Sequence, residues 1–394
     1  MISDRLPAHS SVLDRRAPSH LRRILVVAAV LLAITACQAV GTRPVIKIGL
    51  TAPFSGFDES VGYSVIGAVR QAIDERNQAG GVAGYSVELV ALDDANQPQN
   101  AAQRAQEMII DPAVMGVLGG FDGPAAAAAG AAHAGSGMPF VALSGDDTET
   151  AGEGQRSLRL TAQDSDAGRL AGEFAAQTLA ARRVAIVSDQ AAGQDALGDA
   201  FAAAVQAGGA AVVDRTQIER WQLDFAGAIR QVSAAAPDLI FFAGRAAEAG
   251  EFLKQARTAG VQATFLGGPG MDDPRLLQIA GPAAQGTYYV STGLPLSQVR
   301  DEAQRANLTQ ASLRSPGPYT ALAYDGASIL LDALAQAITA SGKPSRAAVA
   351  QALGATMHRG LTGDFAFDEQ GNRLAAPLSI YRMTGDTYPG MLVQ

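Results

Sequence analysis

The chain has 394 residues, more than one hydrophobic core usually organises, so two units of ordinary domain size are expected. A composition of 48% hydrophobic and 17% charged residues is that of a soluble globular protein, and a net charge of −8 with no Lys/Arg cluster past the N-terminal stretch argues against a nucleic-acid partner. One cysteine, Cys37, leaves no disulfide framework and no cysteine-built metal site within the chain.

Arg15, Arg16, Arg22 and Arg23 precede an apolar run over residues 24–36 that ends in Ile34-Thr35-Ala36-Cys37. A basic flank, a short apolar stretch and small residues before a cut make an export signal. The run falls short of the roughly 20 apolar residues that a membrane span needs. The small residues before Cys37 resemble the bacterial lipobox, in which that cysteine becomes the lipidated first residue of the mature protein. The other reading is a plain secretory signal that contains a cysteine. Residues 1–37 are expected to be a lipoprotein signal peptide and residues 38–44 a tether.

From Val45 onward strand and helix patterns alternate almost to the end. Val45 to Leu50 is a compact apolar run, hence a buried strand, broken at Pro53-Phe54-Ser55-Gly56. Val61, Val65, Ile66, Val69, Ala72 and Ile73 then recur at helical spacing until Gly80-Gly81. Strands follow at residues 85–92, 114–118 and 138–143, with helices at 98–110 and from Pro124. A second cycle places strands at 183–187, 210–215, 238–243, 263–266 and 287–291. Its helices fall at 167–181, 194–207, 224–235 and 246–259. Continuous Val/Ile/Phe-rich strands alternating with helices imply parallel sheets covered on both faces. The pattern is an α/β chain of two doubly wound lobes. The tail differs: helices at 319–340 and 346–353 are followed by a hairpin-like end, which suggests that the chain passes between the lobes several times.

The catalytic inventory is thin. His9 and His20 lie in the leader, His133 in an Ala-rich helix and His358 in a polar loop, none with a spaced partner for a metal or a triad. No Gly-x-Ser-x-Gly elbow and no phosphate-binding Gly-x4-Gly-Lys-Ser/Thr loop occurs. No enzyme activity, cofactor or metal is expected. What recurs is a polar or glycine-rich break at the carboxyl end of a strand: Pro53 to Gly56, Gly119 to Pro124, Ser144 to Asp147, Ser188 to Gln190, Gly244-Arg245 and Gly267 to Asp272. In open parallel sheets these ends form the crevice where ligands bind, although every α/β protein needs turns there. Arg245, a lone guanidinium after a buried strand, either clamps a ligand carboxylate or caps the next helix. The acidic run at Asp146, Asp147, Glu149 and Glu153 is either a cation receptor or a solvated loop.

The chain resembles the type I periplasmic binding proteins, specifically the branched-chain amino-acid and amide group that serves ABC importers. The resemblance runs from about Val45 to the C-terminus. It is carried by IKIGLTAPFSG at residues 46–56, AIDERNQAGGVAG at 72–84, VELVALDD at 87–94, APDLIFFAG at 236–244 and YTALAYD at 319–325. Four ligand-side positions depart from the amino-acid-binding pattern: the turn at Phe121 to Pro124, Ser144-Gly145-Asp146, Pro269, and Asp189 to Gly193, where an aromatic residue is missing. Members often tie the first two ligand-side loops with a cysteine pair. The matching positions are Asn96 and Asp122, and a hydrogen bond between them is expected in its place.

The resemblance implies a three-segment hinge near residues 159–162, 290–292 and 362–364. It divides the chain into an N-terminal lobe (45–160 and 292–362) and a C-terminal lobe (161–291 and 363–394). The implied function is capture of a small polar, amino-acid- or amide-like molecule by hinge closure, and delivery to an ABC-type permease. The expected ligand contacts are Phe54, Ser55, Asp122, Gly123, Ser144 and Asp146 from the first lobe, and Asp189, Arg245, Gly270 and Met271 from the second. The protein would work as a monomer, lipid-anchored through Cys37 at the outer face of the cell membrane. The alternative is a ligand-sensing regulatory lipoprotein of the same fold; a hydrolase lacks its nucleophile–base pair.

Overall fold

In the computed structural model, which describes residues 43–143, 157–189, 195–313 and 316–394, strand and helix alternate as the apolar patterning requires. The first sheet is wholly parallel, in the order β2-β1-β3-β4-β5. Its strands are β1 (Val45–Ala52), β2 (Ser86–Asp93), β3 (Val114–Gly119), β4 (Phe140–Ala142) and β5 (Ser157–Arg159). The second is built from β6 (Arg183–Ser188), β7 (Ala211–Gln217), β8 (Leu239–Ala243), β9 (Thr264–Gly267) and β10 (Tyr288–Ser291). After β11 (His358–Gly360) and β12 (Gly363–Phe365) pair as a hairpin, β13 (Ser379–Arg382) and β14 (Met391–Leu392) complete the second sheet. Its order is β14-β13-β10-β9-β8-β6-β7, with β13 antiparallel to β10 and β14 antiparallel to β13.

β3 and β8 are buried along their whole length, because each lies inside a sheet covered by helices on both faces. On β8 alternate side chains serve opposite cores. Ile240 and Phe242 join Phe225, Phe252 and Phe265, whereas Leu239 and Phe241 join Phe174 and Phe201. The rings of Phe201 and Phe241 stack at 3.8 Å. The first core draws on residues far apart in sequence: Leu322, Ile329, Leu330 and Leu334 of the helix Tyr319–Ser341 pack on Ile48, Leu50 and Leu118. Burying each such side chain contributes about 1.5–3 kcal/mol. That helix is long and apolar enough to cross a membrane, but 72% of its most apolar window is buried inside the protein. It is a core helix. Gly326 permits its close approach, since a Cβ there would lie 2.7 Å from Leu118 and 2.9 Å from Leu160.

Three segments join the two lobes, after β5, after β10 and after β12, and the first and third are stitched together. The Arg159 amide donates to the Gly371 carbonyl at 2.8 Å, and the Arg373 amide donates to the Arg159 carbonyl at 3.2 Å. The Arg159 guanidinium reaches Asn372 Oδ1 at 2.9 Å, and that of Arg373 donates to the Thr362 carbonyl at 2.9 Å. The Asp325 carboxylate, fully buried, accepts the amides of Leu361 and Thr362, both at 2.8 Å, and the Thr362 hydroxyl at 2.7 Å. In the middle segment the Ser291 hydroxyl donates to Asp272.

The short elements depart from expectation. No strand is expected at Ser157–Arg159 and no helix at Glu302–Ala311, yet both form. The strand has three residues, too few for a periodic signal. The helix buries only Leu308, so it carries almost no apolar stripe. Strand β7 extends two residues past the expected end at residue 215, through Thr216 and Gln217.

Candidate functional site

The carboxyl ends of β1, β3, β6, β7, β8 and β9 face one another across a cavity of about 410 Å³ between the lobes. The lobes meet there through charge. Arg220, three residues beyond β7, donates from Nη2 to Asp122 Oδ2 at 2.7 Å and holds Asp189 on its own lobe at 3.6 Å. Arg245 leads directly from β8 into the helix Ala246–Thr258. It donates to Asp58 Oδ2 at 3.2 Å and to Glu248 Oε1 at 2.9 Å. Arg275 donates to Asp58 Oδ1 at 3.1 Å, to Asp273 Oδ2 at 3.0 Å and to the Phe57 carbonyl. The Trp221 ring lies beside both Arg220 and Arg245, at 5.5 and 5.3 Å from their guanidinium carbons. Arg275 also lines a second cavity of about 390 Å³ with Phe57, Ser64 and Tyr319.

Burial sets the electrostatics. Asp58 is 4% exposed; desolvation pushes its carboxyl up, but Arg245, Arg275 and Asn96 outweigh that and hold it below the ordinary range. Burial raises the Asp122 carboxyl and lifts Asp189 to about 6, in each case against the pull of Arg220. Asp272, which accepts from Ser291 and from the Tyr388 hydroxyl, is lifted to about 7 by complete burial. Burial opposes the charge on Arg245, while Asp58, Glu248 and Asp122 together keep it more firmly protonated than usual. The lining therefore offers paired charges, an amide (Asn96) and aromatic faces, a chemistry of binding by charge and hydrogen bonds. Among the described residues no group of His, Cys, Asp and Glu side chains is arranged to hold a metal ion.

Of the residues expected at a ligand site, Asp122, Gly123, Asp189, Arg245 and Gly270 line this cavity. Phe54 does not: its amide donates to Asp93 Oδ1 at 2.8 Å and its ring meets Tyr63 edge-on at 5.7 Å. Ser55 is exposed and bonded to the same Asp93. Met271 is fully buried, packed with Phe265 and Tyr289 in the second core. Ser144, Asp146 and Cys37 lie outside the described residues. The expected bond between Asn96 and Asp122 is corrected: Asn96 Nδ2 donates to Asp58 Oδ2 at 3.0 Å, because Asp122 is turned toward Arg220. Asp58, Arg220 and Arg275 line the cavity beyond the residues expected from the sequence. Arg220 follows a strand end like the breaks that were singled out, but β7 runs past its apolar residues and hides the break.

A periplasmic binding protein family model matches residues 45–387. The leucine-, isoleucine-, valine-, threonine- and alanine-binding protein of Pseudomonas aeruginosa is 26% identical over 345 residues, covering 86% of this chain and 90% of that protein. Among solved structures, a branched-chain amino acid transporter substrate-binding protein from Streptococcus pneumoniae, in complex with isoleucine, superposes with a TM-score of 0.78. It is 24% identical and covers 89% of this chain and 99% of its own. A solute-binding protein of an ABC transporter from Rhodopseudomonas palustris, in complex with 3,4-dihydroxybenzoic acid, gives a TM-score of 0.74 at 24% identity, covering 88% and 95%. With two wound lobes around a charged cleft and a family match across most of its length, the chain belongs to the periplasmic binding protein family.

Proposed function

We propose that this protein is an exported, lipid-anchored carrier that captures a small amino-acid- or amide-like molecule between its lobes and delivers it to an ABC-type permease. The lobes in this reading are residues 45–160 with 292–362 and residues 161–291 with 363–394. The solute sits among Asp122, Gly123, Asp189, Arg245 and Gly270, and Ser144 and Asp146 are proposed as further ligand contacts. Phe54 and Ser55 act one step back, holding the turn that carries Asp58. Cys37 bears the lipid.

The observation that carries the reading is the cavity whose polar groups come from both lobes, so a solute gains contacts to each only when the hinge closes. Relatives named for branched-chain amino acids support the ligand class. The test is a thermal-shift screen of the purified protein against amino acids, amides, short carboxylates and polyamines. A solute present at about 100 times its Kd stabilises by about 2.7 kcal/mol and raises the melting point. A screen in which no solute shifts the transition rejects the reading.

A further inference from the structure

The cleft holds more acid than base. Among the described residues its lining carries seven aspartates against three arginines, and neither lysine nor histidine. Each arginine already stands between two carboxylates: Arg220 between Asp122 and Asp189, Arg245 between Asp58 and Glu248, and Arg275 between Asp58 and Asp273. Five acids therefore share three guanidiniums. Asp195 and Asp272 line the cavity as well and accept from neutral donors, Asp195 from the Gly198 amide at 2.8 Å and Asp272 from the Ser291 and Tyr388 hydroxyls. Burial raises the carboxyls of Asp122, Asp189, Asp195 and Asp272, the direction expected of acids whose charge is incompletely compensated.

Three buried atoms beside these acids lack a hydrogen bond. Asn96 lines the cavity and is 2% exposed. Ionised Asp58 can only accept, so Asn96 turns Nδ2 toward it at 3.0 Å and leaves Oδ1 without a partner. That oxygen requires a donor. Nε of Arg220 and Nε of Arg245 are buried without a hydrogen bond too, and each requires an acceptor.

We propose, on the reading that this cleft holds the solute, that the solute is a net cation: an amine whose ammonium is received by Asn96 Oδ1 among the cleft carboxylates, and whose other polar group is a neutral carboxamide facing the arginines. The reason is electrostatic. Water screens the surplus negative charge while the cleft is open, and a closing solute expels that water. A zwitterion leaves the surplus as it was and an anion adds to it. Only a net cation reduces it. A carboxylate would be a third anion on a guanidinium that already has two, whereas a carboxamide oxygen satisfies Nε and brings no charge. A cavity of about 410 Å³ admits a molecule of this size.

The experiment is calorimetric titration of the purified protein at pH 7, below the α-ammonium pKa of about 7.7–8.0. The probes are the common amino acids, their carboxamides, and counterparts that keep the side chain but drop one polar group. For leucine these are leucinamide, 4-methylpentanamide, which lacks the ammonium, and 3-methylbutylamine, which lacks the amide. For the side chain that binds best, the carboxamide is expected to bind at least about tenfold tighter than the zwitterion, and loss of either polar group should weaken it by about tenfold or more. Asp189→Asn removes one unit of the surplus and should narrow the preference for carboxamide over zwitterion; Asp122→Asn asks the same of the other lobe should the first variant fail to fold. A structural role alone would weaken both compounds alike. A zwitterion that binds as tightly as its carboxamide, or an amine without the amide that matches it, overturns the inference and leaves solute capture standing. A preference unchanged in a folded variant overturns its electrostatic basis. Binding by no compound of any class rejects the capture of amino-acid- or amide-like solutes, and this inference with it.

Discussion

Replacing Asp58 by asparagine removes the carboxylate that two second-lobe arginines share, while keeping its size and the contact with Asn96. Breaking a buried ion pair from one side costs about 3–5 kcal/mol. Here Arg245 and Arg275 retain Glu248 and Asp273 on their own lobe, at 2.9 and 3.0 Å, which softens the loss. The closed, solute-free arrangement should weaken by about 2–3 kcal/mol, shifting the ratio of closed to open molecules by on the order of 100-fold. Small-angle X-ray scattering reads this directly: solute-free Asp58→Asn should have a larger radius of gyration than the wild type, and saturating solute should reduce the difference. Acid should mimic the mutation. The Asp58 carboxyl is held below its ordinary value of 3.8, so its contribution is complete above that value and is lost as pH falls through the lower folded one. Superimposable scattering curves for the solute-free variant and wild type at neutral pH would refute the reasoning, because the lobes would then be held together by something other than these pairs.

Three further outcomes follow from contacts already described. Arg245→Ala should weaken binding of the identified solute by about tenfold or more, measured by calorimetry; an unchanged Kd removes Arg245 from the site. Asp325→Ala orphans two amides and a hydroxyl in the Leu361–Thr362 turn between β11 and β12, so unfolding free energy should fall by about 2–4 kcal/mol in urea titrations, and an unaltered midpoint would contradict the anchoring role. Burial, aided by Arg346, lowers His133 from 6.5 to about 4. The unfolded chain therefore binds the proton first, and stability is full above pH 6.5 and lost as pH falls toward 4. The wild type should lose about 2–3 kcal/mol more than His133→Leu between pH 7 and 4.5, and parallel pH profiles would show that His133 does not titrate as described.

The strands that shape the cleft are legible because, Lys47 apart, they are runs of apolar residues. Val45 to Leu50, Val114 to Leu118 and Leu239 to Ala243 each announce a covered sheet, and the glycine-rich and polar breaks after them locate its ligand-side edge. Arg245 stood out as a lone charge behind such a run. What was not legible is pairing across the lobes. Asp58 and Arg245 are 187 residues apart, and Asp58 and Arg275 are 217 apart. No local period links them, and their partnership exists only once the hinge has set one lobe over the other. The same blindness turned Asn96 toward the wrong aspartate. Met271 shows the reverse limit: its place in a glycine-rich break was clear, but its thioether turns into the core under Gly267, where a Cβ would lie 1.9 Å from the sulfur.

The most direct test of solute capture is a crystal structure of the protein with the compound that gives the largest thermal shift. The account predicts unaltered solute in the cavity between the lobes, touching Asp122 on one side and Arg220 or Arg245 on the other. Solute bound to one lobe only, lying outside this cavity, or found chemically changed would contradict it.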